Sequence, residues 1–135
     1  MQKNRLFVVG AVLLALLALG MAGCGPRTAT IDATLTDYKF TPAEWTFPAG
    51  AEVTINLKNE GSDLHEWVLM NNGTEVSVPF SDDDEGNIFW EAEVEAGEEG
   101  TFTFTAPTQA GEYQIVCGTE GHIEDGMVGK LTITP

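Results

Sequence analysis

The sequence predicts an all-β domain, an antiparallel Greek-key sandwich or barrel of seven to eight strands. Three observations carry that expectation. Apolar and polar residues alternate with period two in short runs rich in β-branched and aromatic side chains. Each run is bounded by a cluster of Gly, Pro, Asn, Asp or Ser. No segment carries an apolar stripe at helical spacing, and no internal repeat is visible. Seven Phe and three Trp within a 43% apolar composition supply one core, and 135 residues support a single domain.

The elements follow in order. The first strand is expected over Thr30–Tyr38 and the next over Glu44–Phe47, closed by Pro48-Ala49-Gly50. Val53, Ile55 and Leu57 then face one way between Thr54, Asn56 and Lys58. Glu60-Gly61-Ser62-Asp63 turns the chain into His65–Met70, which Asn71-Asn72-Gly73 ends. Ser77–Asn87 is the least patterned stretch and reads as an acidic excursion between strands. Ile88–Val94 follows, then the turn Ala96-Gly97-Glu98-Glu99-Gly100. Phe102, Phe104 and Ala106 alternate with threonines, and after Gln109-Ala110-Gly111 the residues Tyr113, Ile115 and Cys117 alternate with Gln114 and Val116. Leu131 and Ile133 close the chain.

The first stretch reads as an address and an anchor. Lys3 and Arg5 precede Leu6–Gly23, a run without a polar side chain that ends in Met21-Ala22-Gly23-Cys24. A basic start, an apolar run and small residues before a cut describe an export signal. The cysteine at the cut resembles a bacterial lipobox, with Met21 where Leu is usual. That likeness implies that Cys24 receives lipid and becomes the mature N-terminus. The expected organisation is a signal peptide over residues 1–23, a lipidated Cys24 with a short tether over residues 24–29, and the domain over residues 30–135. The alternative is an uncleaved membrane span, for which the run is just long enough. Either way the domain is exported and tethered, on the extracytoplasmic face of the membrane or in the periplasm.

Charge narrows the function. Six Lys and Arg oppose 21 Asp and Glu, a formal net charge of −15, and loss of Lys3 and Arg5 with the signal takes it to −17. Phosphate backbones select for Lys and Arg, so a nucleic-acid partner is not expected. Two cysteines and two histidines exclude a multi-zinc scaffold or a disulfide-stapled miniprotein. The run Asp82-Asp83-Asp84-Glu85 lacks the ligand spacing of an EF-hand loop and reads as a solvated face or as a docking surface.

The chemistry sits near the C-terminus, where Cys117, His122 and Met127 fall at Cys-x4-His-x4-Met. A thiolate, an imidazole and a thioether form a soft set that copper prefers over magnesium, calcium or manganese. A second imidazole would complete a His2Cys plane with a weak axial Met. The other histidine, His65, lies 52 residues upstream of Cys117 at a strand start, after the Asn59–Leu64 loop. Singly, His65 reads as a satisfied histidine, Cys117 as a buried hydrophobe or a disulfide partner of Cys24, and Met127 as core filler. Jointly, every histidine and the one cysteine outside the lipobox fall on the pattern.

With these residues in order the chain is similar to the cupredoxins, the type 1 blue-copper electron carriers, and most like their plastocyanin, halocyanin and auracyanin-type members. Tyr38-x-Phe40-x-Pro42, Pro48-Ala49-Gly50, Val53-x-Ile55, Asn59-x-Gly61 and His65 follow the family's N-terminal half, and Cys117, His122, Met127 and Gly129 its C-terminal half. The resemblance implies one copper ion per chain, with His65 and His122 as imidazole ligands, Cys117 as thiolate and Met127 as weak axial ligand. It also implies His122 as the electron port. Two positions depart from the family: Glu66 stands where Asn or Asp is common, and Glu120 where many relatives have Pro. Glu66, Glu120 and Glu124 thus bring carboxylates toward the metal, to favour Cu(II) or to ligate it. Four protein ligands leave no position for a substrate, so an enzyme is not expected. A monomeric one-electron carrier is expected, working with a redox protein such as a basic cytochrome or a membrane oxidoreductase. The alternative is a copper chaperone or storage lipoprotein using the same ligands without redox cycling.

Overall fold

In a computed structural model, residues 27–76 and 78–135 are described. The signal and lipidation readings, Cys24 among them, lie outside those residues. The alternating runs form nine strands: β1 (Thr28–Thr36), β2 (Lys39–Thr41), β3 (Glu44–Pro48), β4 (Glu52–Asn59), β5 (His65–Met70), β6 (Ile88–Val94), β7 (Glu99–Thr105), β8 (Gly111–Val116) and β9 (Val128–Thr134). They make two sheets, ordered β2-β1-β4-β7 and β3-β9-β8-β5-β6.

Three details differ from the sequence expectation. The expected strand Thr30–Tyr38 lies two residues earlier, as β1 over Thr28–Thr36, followed by a hairpin to β2 whose two-residue loop is Asp37-Tyr38. β2 raises the strand count to nine because three residues are too few to show a period. Two pairings, β1 with β4 and β3 with β9, are parallel. Parallel neighbours need a crossover, and here the chain visits the opposite sheet through β3 before returning as β4.

The excursion over Ser77–Asn87 holds one helical turn, α1 (Asp82–Glu85). The Ser81 backbone N–H donates to Asp84 Oδ2 at 3.0 Å, and the Asp84 N–H to the Ser81 carbonyl at 2.8 Å. Acidic residues suit the positive end of a helical turn, and four residues are too short for an apolar stripe.

Burial explains why β5 is so apolar. Trp67 and Leu69 face the main core between the sheets. Val68 and Met70 face a second cluster with Val76, Val116 and Ile123, against which Phe80 and Ile88 pack. Met70 is thereby committed to packing away from the Cys117 cluster. The main core is aromatic: Trp67 meets Trp45, Trp90 and Phe104 at 5.5, 5.8 and 5.9 Å between ring centres. One end of the sandwich gathers the end of β1, the end of β4, the start of β5 and the segment between β8 and β9. The opposite end gathers Arg27, Gly50, Pro107 and Thr134.

Candidate metal centre

His65 opens β5, and the loop before it is built around Asn59. This buried amide donates to the carbonyls of Asp63 and Val94, each at 2.8 Å, and accepts the Gly61 N–H at 2.8 Å. All the buried polar atoms of that side chain are engaged, as burial demands. A Cβ on Gly61 would collide with His65 Nε2 and Asp37 Oδ1, so only glycine lets the loop pass over the imidazole.

Cys117, His122 and Met127 share the segment between β8 and β9. The Met127 N–H donates to the His122 carbonyl at 2.9 Å, and the Cys117 N–H to the Met127 carbonyl at 3.2 Å. Gly121 and Gly126, at φ +84° and +95°, reverse the chain on either side of His122-Ile123. Thr119 Oγ1 donates to the Leu64 carbonyl at 2.9 Å and joins this segment to the one before His65. The carboxylate of Glu66 lies against Gly118, where an added Cβ would collide with its Oε2, so this side chain packs between the two segments. The Glu66 N–H itself points at Cys117 Sγ, 3.4 Å away.

The two halves bring three donors together. His65 Nδ1 and His122 Nδ1 lie 3.1 Å apart, and Cys117 Sγ lies 3.4 Å from His122 Nδ1 and 3.8 Å from His65 Nδ1. The point equidistant from these corners is about 2.0 Å from each, close to a metal–imidazole bond and slightly short of a metal–thiolate one. His65, Cys117 and Met127 are fully buried, and His122 is 5% exposed. Burial pushes the Cys117 thiol up, while hydrogen bonds from Thr119 and the Glu66 N–H pull it down. Burial and the neighbouring His122 hold His65 below the ordinary imidazole value, against the opposing pull of Asp37. Burial likewise raises Glu66, with Glu91 and Glu93 adding to it. The donor set fits one soft, thiophilic ion of the first transition row. The family model for the cupredoxin-like domain matches residues 7–133.

The chain belongs to the cupredoxin-like family.

Auracyanin-B of Chloroflexus aurantiacus is 30% identical to this cupredoxin over 112 residues, which cover 71% of this chain and 47% of the relative. The chain thus spans about half the length of the curated relative it matches. Among solved structures, a dithionite-reduced auracyanin from Roseiflexus castenholzii superposes with a TM-score of 0.67 at 25% identity, covering 82% of this chain and all of its own. Auracyanin A of C. aurantiacus, described as a blue copper protein, gives 0.65 at 29% identity, covering 79% and 99%. His65, Cys117 and His122, with Met127 in the same segment, form a type 1 copper site in this cupredoxin. Of the three carboxylates weighed from the sequence, none joins the cluster among the described residues. Glu120 and Glu124 face solvent, and the Glu66 carboxylate lies against Gly118.

Two residues beside the centre have no site role in the sequence reading, where Tyr38 enters only through the motif Tyr38-x-Phe40-x-Pro42. Asp37 Oδ1 lies 3.3 Å from His65 Nε2, on the far side of the ring from the cluster. Tyr38 meets His122 edge to face, with ring centres 5.3 Å apart and planes at 88°. Its φ of +67° is uncommon for a residue with a side chain, and the residue is 43% exposed. An aspartate in the run does not by itself mark this turn, because Asp32 of the same run stays inside β1.

Proposed function

We propose that this cupredoxin carries single electrons between Cu(I) and Cu(II), tethered by lipid at Cys24 on the extracytoplasmic face of the membrane. The observation that carries this reading is a trio of buried donors, held by two segments that are hydrogen-bonded to each other. Bound there, copper supplies one-electron redox chemistry. The residues around it exclude water and hold the two imidazoles and the thiolate in place, so little rearrangement accompanies a change of charge. His65, His122 and Cys117, with Met127 from the same segment as Cys117 and His122, would hold the ion. His122 and the exposed ring of Tyr38 form the way out for the electron. Copper analysis and a visible spectrum of the oxidised protein test the reading: one copper per chain and an intense blue or green band are expected. A protein that takes up copper without such a band would instead be a chaperone or store.

Met127→Leu is expected to retain copper and raise the reduction potential, because axial ligands tune blue-copper sites. A tenfold selective weakening of Cu(II) corresponds to about 59 mV for one electron. Redox titration reads the shift, and an unchanged potential with an unchanged spectrum would assign the axial position to another group.

The partner we propose is a basic cytochrome or a membrane oxidoreductase, met by a monomer whose acidic surface steers the encounter. Salt screens such steering over ~10 Å at 0.1 M. Stopped-flow electron transfer to a basic cytochrome should therefore slow several-fold as salt rises, while transfer to an uncharged oxidant changes little. Neutralising Asp82–Glu85 to Asn and Gln should flatten the salt dependence if α1 is the docking face. A rate to the cytochrome that is flat or rises with salt would remove electrostatic docking.

A further inference from the structure

The Asp37-Tyr38 turn touches both imidazoles of the centre, and its aspartate does so with a charge. Asp37 Oδ1 accepts the Ser62 N–H at 2.9 Å and lies 3.3 Å from His65 Nε2, while Oδ2 accepts the Ser62 hydroxyl at 2.9 Å. Its position is therefore held from the same loop that Asn59 braces, and the missing side chain of Gly61 leaves the gap through which it reaches the ring. A neutral imidazole carries its proton on one nitrogen and its lone pair on the other. His65 Nδ1 faces Cys117 and His122, so a ligating His65 must keep the lone pair there and the proton on Nε2. An ionised carboxylate only accepts hydrogen bonds, so an oxygen at Nε2 selects that tautomer.

We propose that Asp37 is a positioning residue that fixes the tautomer and orientation of His65, and whose negative charge biases the bound copper toward Cu(II). The tautomer part stands on the metal-free geometry, whereas the redox part rests on the copper reading above. A carboxylate behind a metal-bound histidine raises the basicity of the ring, and its loss typically costs 10–100-fold in metal affinity. The carboxylate is 39% exposed, so water moderates its field without removing it.

Two substitutions in the full-length protein separate the parts. Asp37→Ala removes the acceptor. Long-range proton–nitrogen NMR of the metal-free protein is expected to show His65 as the Nε2–H tautomer in the parent and as a mixture in the variant, with copper(II) affinity lowered about 10–100-fold. Asp37→Asn keeps an acceptor and removes the charge. Its Cu(II) affinity should fall about tenfold more than its Cu(I) affinity, which raises the potential by ~59 mV. Thermal unfolding of both variants checks that the fold is kept, and should Asp37→Ala fail to fold, the isosteric Asp37→Asn still decides the proposal. An unchanged tautomer in folded Asp37→Ala overturns it, as does an unchanged potential in Asp37→Asn. If the parent protein takes up no copper, the electron-carrier reading fails, while the tautomer comparison still decides what Asp37 does.

Discussion

Cys117→Ser is expected to abolish the intense visible band of the oxidised protein, because that band requires a thiolate donating into Cu(II). The same change should cost at least ~100-fold in copper affinity, beyond the 10–100-fold typical for loss of a group that only supports a ligand. The fold should survive. The side chain is nearly isosteric, its backbone N–H stays bonded to the Met127 carbonyl, and the hydroxyl retains the Glu66 N–H as a neighbour. Absorption, copper stoichiometry and thermal unfolding measured together check this. A variant that keeps the parent's strong band would show that Cys117 is not the thiolate, and the assignment of the centre would collapse.

The second large effect concerns stability. Trp67 lies two residues after His65 on β5, fully buried, with three aromatic rings around it. Trp67→Ala should cost about 3–5 kcal/mol, as large-to-small changes of buried aromatics do. A domain of this size commonly holds only about 5–15 kcal/mol in total. Urea unfolding of the metal-free protein reads the loss directly. A loss under ~1 kcal/mol, smaller than that of a typical cavity-forming change, would mean that the two sheets close over the gap and that the aromatic cluster does not hold them together.

The strands with clear alternation and firm turns are legible in the sequence. β5 and β6 begin and end where His65–Met70 and Ile88–Val94 were read. Local pattern failed where the information is not local. Nothing in the alternation of Thr28–Thr36 says that its neighbour will be β4 running the same way, since strand direction depends on where the intervening chain goes. β2 and α1, at three and four residues, are shorter than one period of evidence. The centre divides likewise. Cys117, His122 and Met127 declare themselves by spacing within one segment. His65 was paired with them through loop placement and the family's order of motifs. Asp37 escaped because it was read as part of a strand, whereas its role comes from a turn that meets a loop 25 residues away.

The direction of β1 has a consequence for reach. Its nine residues, at about 3.3 Å each, make a rod roughly 30 Å long. At the far tip Asp37 already contacts a ligand of the copper, while the near tip starts one residue after Arg27. With the lipid on Cys24 proposed above, the bilayer grips the protein by one pole and the redox centre is carried on the other, turned toward the aqueous phase. Toppling onto the membrane would bring a strongly anionic body against whatever anionic lipid lies there, which repulsion opposes. Under that proposal, an upright domain would meet partners that stand proud of the surface or drift above it sooner than a redox group buried at bilayer level.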